Sequence, residues 1–215
     1  MSRRTACLLA FIWVVFLVRG LFYITLIPIW EGWDEFAHFA FVEHLQNGYG
    51  LPAPDERVSS EITRSLELAP LPWALRGLHA PAITHDDFWL LSSSERSDRA
   101  AALKEIPADM QRKIGTEYLY EGKQPPLYYL LTSVALRPFR EASMVNRVFI
   151  TRLFSVLIAS SVVFLSFAAA RQLFGDDRTA LQIAALITAM PQLFVDIARV
   201  SNEPLSILLY SLLAY

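Results

Sequence analysis

The longest apolar block in the chain lies near its N-terminus and restricts the folds that the chain can adopt. Residues 6–30 read ACLLAFIWVVFLVRGLFYITLIPIW, and Arg19 is the only charged residue among them. A helix needs roughly 20 apolar residues to cross a hydrocarbon core that is about 30 Å thick. We therefore predict a first transmembrane helix within residues 1–30.

A cleaved signal peptide is the alternative for this block, because the preceding MSRRT has the charge of an n-region. The apolar run is not followed by the small residues that mark a cleavage site. We therefore favour an uncleaved span. Arg3 and Arg4 then predict a cytoplasmic N-terminus, because basic residues flank spans on that side.

Further apolar blocks predict a multi-span helical protein. With 54% hydrophobic residues, the chain is too apolar for an ordinary soluble domain. The blocks 153–170 and 179–195 contain no charged residue. Pro191 predicts a kink in the second of them, and 205–215 reads as the beginning of another span. We expect an all-α membrane protein of which this chain is the N-terminal part.

The segment after the first span is acidic and predicts an external loop. Residues 31–124 carry 16 acidic and 9 basic residues, whereas the remainder of the chain carries 5 and 10. Basic flanks inside and an acidic loop outside agree with the usual orientation. The segment is also too long to be a simple connection between two helices. Three helices are predicted here: 34–48, buried all round and ending at Asn47-Gly48; 56–68, with a stripe of Val58, Ile62 and Leu66; and 93–106, capped by Ser93 or Ser94.

The block PPLYYLLTSVALRPF (125–139) leaves two topologies open. As a helix it measures roughly 22 Å, which is short for a span. If it spans, Arg137 and Arg147 lie inside. If it lies in the interface, block 153–170 returns the chain to the cytoplasm and Arg171 lies inside.

Two adjacent carboxylates and an imidazole follow the first span. Asp34 and Glu35 open the first external helix, and His38 lies one turn beyond Asp34. Solvated acids favoured by the helix dipole account for the pair without any chemistry. The functional alternative is a general base at the membrane surface. Asp34 and His38, at i and i+4, are candidate ligands of a divalent cation, although one such pair is a weak metal motif.

Two later motifs carry candidate binding residues. Lys123 and Gln124 precede a double proline that fixes two φ angles. This turn either only leads the chain into the membrane, or it holds the ammonium group of Lys123 rigidly where it binds a lipid phosphate. Glu203 follows Ser201 or Asn202, either of which caps a helix. Glu203 has a role in catalysis only if it lies on the same side of the membrane as Asp34. The chain has no P-loop, dinucleotide fingerprint or nucleophile elbow.

The order of these motifs resembles one family. WDEFAHFAFVEHLQNGYGLP, KQPPLYYLLTSV, TRLFSVLIASSVVFLSFAAARQLFG and RTALQIAALITAMPQLFVDIARVSNEPLSILL are similar to the N-terminal part of polyprenyl-phosphate-dependent glycosyltransferases with the multi-span GT-C fold. Protein mannosyltransferases and the lipid A aminoarabinose transferase belong to that superfamily, and the chain is closest to uncharacterised bacterial membrane relatives. The resemblance implies a bacterial plasma membrane protein with 31–148 outside, 125–139 as a juxtamembrane helix, and 149–215 holding spans two and three and the start of a fourth.

The resemblance also implies a reaction and its residues. A sugar would pass from a polyprenyl-phosphate donor to an envelope lipid, glycan or protein acceptor, with membrane lipids as surroundings and no nucleic acid. Asp34, with Glu35 beside it, matches the acidic motif that supplies the base or a cation ligand. Lys123 matches the lysine for the donor phosphate, although Gln124 intervenes before the prolines.

Three further substrate-binding candidates depend more loosely on the resemblance. Arg152 matches the arginine that opens the second span, and Glu203 stands where many relatives have Asp. His38 is not general to the superfamily, and a divalent cation is the one candidate cofactor. A non-catalytic membrane protein of polysaccharide or lipid assembly on the same scaffold is the alternative. A transporter is less favoured, because it needs paired polar residues at mid-depth and inverted repeats.

Overall fold

The computed structural model describes residues 1–72 and 83–215, which form two compact units. The first unit comprises Met1–Leu26 and Arg152–Tyr215, and the second comprises Ile27–Thr151. The chain passes from the first unit to the second after Leu26 and returns to the first after Thr151.

The described residues are mostly helical. In chain order, the helices and strands are α1 (Arg3–Leu26), α2 (Glu35–Gln46), β1 (Arg57–Ser59), α3 (Ser60–Leu66), β2 (Pro70–Leu71), β3 (Ile83–Thr84), α4 (His85–Leu90), α5 (Ser93–Lys104), β4 (Ile114–Tyr118), α6 (Leu127–Leu136), α7 (Met144–Ala159), α8 (Ser161–Phe174), α9 (Asp177–Ala189), α10 (Pro191–Ile197) and α11 (Glu203–Ala214). Short 3₁₀ helices lie at Ala108–Arg112, Tyr120–Lys123 and Arg137–Phe139.

Two helical runs in the described chain are long and apolar enough to cross a membrane. They are α1, with 24 residues, and the run Met144–Phe174, with 31 residues. The pair α9 and α10 adds a third if it forms one span, bent by 61°. Their length and composition are consistent with the predicted membrane protein and its apolar first span.

The bend between α9 and α10 follows from Pro191, as predicted. Proline has no N–H to continue the helical hydrogen bonds, and α9 ends at Ala189. The guanidinium of Arg19 in α1 donates to the carbonyl of Thr188 beside the break. It also lies 4.5 Å from the ring centroid of Phe194. The charged side chain of the first span is therefore paired within its unit, as intramembrane charges generally are.

Close packing joins α1 to α7 in the first unit. Gly20 is buried, and a Cβ at this position would collide with the side chain of Val156. Small residues allow helix backbones to approach closely in membranes. Phe16 and Phe194, with ring centroids 4.8 Å apart, extend the same core.

Helix α2 is the central element of the second unit. All of its residues except Leu45 are buried, and it packs against α6 and the 3₁₀ helix Tyr120–Lys123. This confirms the prediction of a helix buried all round. The helix ends at Gln46, and Gly48 has a φ of 84°, as the predicted stop signal requires.

Two small sheets correct the all-α prediction. Strand β1 pairs antiparallel with β4, with Arg57 opposite Tyr118, and β2 pairs parallel with β3. The helix predicted from residue 56 was therefore wrong at its start, because α3 begins only at Ser60. Val58, Ile62 and Leu66 are all buried, but Val58 reaches the core from a strand.

Two other local details differ from or refine the predictions. Helix α5 is capped by Ser92 rather than by Ser93 or Ser94, and Ser92 forms a capping box with Glu95. Helix α6 has 10 residues, or about 15 Å, half the thickness of the hydrocarbon core. A straight helix of this length is too short to span, which favours the interfacial alternative for 125–139.

A buried charge cluster lies in the core of the second unit. Arg147 donates to Glu43 at 2.8 Å and to Glu61, and all three side chains are at most 3% exposed. Burial and the charge of Glu43 raise the pKa of Glu61 to about 8, against the opposing effect of Arg147. At neutral pH the cluster therefore holds a proton, and its net charge is close to zero.

Candidate active site

Asp34 is the residue at which the chain enters α2. Its φ of 55° lies in the left-handed region, which Asp and Asn adopt more readily than other non-glycine residues. Its backbone carbonyl accepts hydrogen bonds from the N–H groups of Ala37 and His38. Its half-buried carboxylate accepts a hydrogen bond from the Tyr120 hydroxyl at 2.8 Å. The carboxylate is thereby held at a helix N-terminus, where the dipole favours its charge.

Tyr120 controls the orientation of this carboxylate. Burial, followed by the hydrogen bond to Asp34, raises the pKa of the phenol far above its ordinary value. The hydroxyl therefore stays protonated and donates a hydrogen bond to the carboxylate of Asp34. The ring also contacts Phe36 edge to face, with centroids 5.8 Å apart. Tyr120 was not predicted from the sequence, because its only signal is an aromatic hydroxyl three residues before Lys123.

The turn that begins at Tyr120 ends at Lys123. Both residues belong to one 3₁₀ helix, and the backbone N–H of Gln124 closes it by donating to Glu121 at 3.0 Å. The Lys123 side chain is exposed and has no ion-pair partner among residues 1–72 and 83–215. The structure therefore joins the acidic motif and the lysine motif through the contact between Asp34 and Tyr120.

Glu35 faces the interior rather than the surface. It is fully buried, and its carboxylate accepts a hydrogen bond from the backbone N–H of Trp30 at 3.0 Å. Trp30 has a φ of 67°, which is uncommon for a bulky residue. Its indole N–H donates to Ser65 at 2.7 Å. Glu35 therefore holds the turn that leads into Asp34.

His38 is placed beside a second tyrosine. The imidazole is 7% exposed, and its Nδ1 lies 2.7 Å from the hydroxyl of Tyr129. The two rings stack with an interplanar angle of 13°. Asp34 and His38 thus each have a tyrosine partner. Within the described ranges, no group of three or more His, Cys, Asp and Glu side chains is arranged to hold a metal ion.

Another carboxylate, three residues before Asp34, was not singled out from the sequence. Glu31 lies 2.8 Å from Nδ1 of His85 at the start of α4. Burial raises the pKa of Glu31, with smaller contributions of the same sign from Asp86 and Glu35, while His85 lowers it. The residue types were visible in the sequence, but their wide separation gave no reason to pair them.

Arg152 and Glu203 belong to the first unit. Arg152 is 2% exposed and donates to the backbone carbonyl of Ile24 at 3.2 Å. Glu203 opens α11, and its carboxylate accepts a hydrogen bond from Arg199 at 3.1 Å. Their roles in substrate binding stay predictions.

The candidate site of the second unit thus consists of an oriented carboxylate, an exposed lysine and a carboxylate–imidazole pair in which the imidazole is exposed. Asp34 and Lys123 lie at its two predicted motifs, and Glu31 with His85 are additions from the structure. This arrangement contains a carboxylate and an ammonium group. Comparisons of the chain with family models, with curated proteins and with solved structures found no match.

Proposed function

We propose that the protein is an integral membrane glycosyltransferase of the GT-C type. In this proposal it transfers a sugar from a polyprenyl-phosphate donor to an acceptor at the outer face of the membrane. The observation that carries the proposal is the hydrogen bond between Asp34 and Tyr120. It joins the acidic motif to the turn that bears Lys123. Transfer of a sugar from a lipid phosphate needs a base for the proton of the acceptor hydroxyl and a cation for the leaving phosphate.

The proposed reaction is a single displacement at the anomeric carbon. The acceptor hydroxyl oxygen attacks this carbon, and the bond from the carbon to the phosphate oxygen breaks. Asp34 takes the proton of the hydroxyl, and the polyprenyl phosphate leaves with the bonding electron pair. Tyr120 holds one carboxylate oxygen of Asp34, so that the other receives the proton. Lys123 neutralises the charge of the leaving phosphate, and its exposure allows a lipid headgroup to reach it.

The remaining candidates have supporting roles in this proposal. Glu35 fixes the turn before α2 through Trp30, so it positions Asp34 rather than reacting itself. His38 and Gln124 contribute to the substrate site, and Arg152 and Glu203 stay candidates for binding the donor. In the alternative, Asp34 and His38 bind a divalent cation, and the carboxylate of Asp34 is then a metal ligand.

A transfer assay in membranes that contain the full-length protein tests the proposal. The donor is a radiolabelled sugar on polyprenyl phosphate, and the acceptors come from an envelope extract. Asp34→Asn removes the basicity, keeps a residue that tolerates the left-handed region, and keeps an oxygen that accepts from Tyr120. We expect transfer to fall by about 10²-fold or more. Asp98→Asn, at an exposed position of α5, is the matched control and should transfer normally.

Two outcomes would contradict the proposal. Normal transfer by Asp34→Asn would assign the base to another group. A wild-type protein that binds the lipid-linked donor without transferring the sugar would instead support a non-catalytic role in polysaccharide or lipid assembly. The amount of each variant in the membrane is measured in parallel, so that a loss of protein is not read as a loss of chemistry.

A further inference from the structure

A separate cleft of about 380 Å³ lies in the second unit near the C-terminal end of α2. Its walls come from α2, from β1 and from the 3₁₀ helix Ala108–Arg112 with the residues that follow it. Among the described residues that line it, none is a candidate of the active site. The cleft is therefore a feature that the proposed reaction does not use.

Two buried side chains in the wall are incompletely hydrogen-bonded. His44 is 8% exposed and Gln111 is 3% exposed. Nε2 of His44 and Oε1 of Gln111 have no partner in the part of the chain that the structure describes. Native proteins satisfy most buried polar atoms, because an unpaired one has lost its hydrogen bond to water without replacement. Two residues that line one cleft therefore carry hydrogen-bonding atoms that no described group satisfies.

The polar wall is fixed from behind by further hydrogen bonds. The amide of Asn47 donates to the backbone carbonyl of Gln111 at 3.2 Å and accepts from Arg140 at 3.3 Å. Gln46 lies outside the cleft lining, and its amide donates to the carbonyl of Leu136 at 2.8 Å, so it takes no part in this wall. The backbone of Gln111 is thus held in place before any ligand enters.

The charged groups of the cleft are already engaged. Burial lowers the pKa of His44, partly opposed by Glu56, so the imidazole is neutral at pH 7. Each charged side chain of the lining contacts another group. Arg57 lies over the ring of Tyr118, and Arg112 and Lys113 form ion pairs with Glu141 and Asp109. Glu43 pairs with Arg147, and Glu56 accepts a hydrogen bond from the backbone N–H of Arg57. Net charge therefore gives no basis for selecting an ionic ligand.

An aromatic ring at the rim completes the surface. Tyr49 is 55% exposed, and its ring meets that of His44 at a centroid distance of 5.2 Å with an angle of 60°. An exposed aromatic face offers a flat apolar surface beside the polar wall. A ligand that matches both surfaces needs hydroxyl groups on its edge and C–H groups on its face.

We propose that this cleft binds a sugar ring of a neutral glycan. Hydroxyl groups both donate and accept, so one ligand class satisfies the acceptor of Gln111 and either tautomer of His44. The C–H face of the ring lies against Tyr49. A cavity of 380 Å³ is at the lower end of the range for small-molecule sites, which suits one or two rings. The proposal concerns binding alone and does not depend on the transfer reaction.

Ligand-observed NMR on the full-length protein tests this site. The protein is placed in phospholipid nanodiscs without glycoside detergents and titrated with the methyl glycosides of glucose, mannose and galactose, and with inorganic phosphate. We expect saturable binding of at least one glycoside, without competition from phosphate. Gln111→Met, which keeps the length of the side chain but removes its polar atoms, should weaken binding by about 3- to 10-fold.

Two variants separate binding from folding. Gln46→Met makes the same substitution at a buried glutamine outside the cleft and should leave the affinity unchanged. Tyr49→Ser changes an exposed side chain, so it should fold even if Gln111→Met does not, and it should weaken binding to a similar extent. The proposal is overturned by the absence of glycoside binding, by competition from phosphate, by an effect of Gln46→Met equal to that of Gln111→Met, or by unchanged binding in Tyr49→Ser.

Discussion

Glu61→Gln removes the group that holds a proton in the buried cluster with Glu43 and Arg147, and should change how stability depends on pH. With both carboxylates ionised, this cluster carries one negative charge in excess, and burial penalises that charge. The pKa of Glu61 is about 8 in the folded chain, against an ordinary value of 4.5. Between these two values, the folded protein holds a proton that the unfolded chain has lost.

The sign of the effect follows from this difference. A carboxyl whose pKa rises on folding stabilises the fold below its unfolded pKa, and this contribution is lost as the pH rises through the folded pKa. One pKa unit corresponds to about 1.4 kcal/mol. We therefore expect the free energy of unfolding to fall by on the order of 2–4 kcal/mol from about pH 5 to about pH 8.

Thermal unfolding of the full-length protein in nanodiscs, measured across this pH range, tests the prediction. The amide of Glu61→Gln stays neutral, so the variant should lose most of the pH dependence and be more stable than wild type at the alkaline end. Glu67→Gln, which removes the surface ion pair with Arg64, is the matched control and should cost about 0–1 kcal/mol without changing the slope. A Glu61→Gln variant with the wild-type slope would refute the reasoning.

Three further predictions concern the candidate site and its side of the membrane. Tyr120→Phe should lower transfer by about 10-fold, because a hydrogen bond to a charged group contributes about 1.5 kcal/mol or more; an unchanged rate in the membrane assay would contradict its orienting role. Lys123→Ala should weaken the apparent affinity for the lipid-linked donor by about 10- to 150-fold, Lys123→Arg should recover part of it, and the exposed Lys104→Ala should not change it. Wild-type donor affinity in Lys123→Ala would make that lysine an interfacial residue only. In intact cells, a thiol reagent added outside should label Ser143→Cys and not Asp176→Cys, and the reverse pattern would invert the orientation.

The apolar helices were predictable because their signals are local. The block 6–30 contains enough apolar residues for α1 by itself, and Pro191 breaks a helix whatever its neighbours are. The burial of α2 was also visible, because its apolar residues occupy every side of the helical wheel. In each case, the information lies within one or two dozen consecutive residues.

The strands and the contacts of the site depend on distant parts of the chain. Strand β1 has three residues, too few for an alternating pattern, and it exists because β4 pairs with it. The same holds for the contact of Asp34 with Tyr120 and for that of Glu31 with His85, whose partners come from separate segments. The sequence identified the two motifs, whereas only the folded chain shows which side chains connect them.

The two adjacent carboxylates have different tasks because the backbone changes conformation between them. Asp34 is left-handed and precedes the helix, whereas Glu35 is the first helical residue and is fully buried. Trp30 is left-handed as well, and such residues persist only where the surroundings hold them. The hydrogen bond from Trp30 to Glu35 supplies that support. Loss of activity in a Glu35 variant therefore does not identify a base, since the turn that positions Asp34 changes with it. Asp34→Asn leaves this hydrogen bond in place, so only that substitution separates the chemistry of the pair from its geometry.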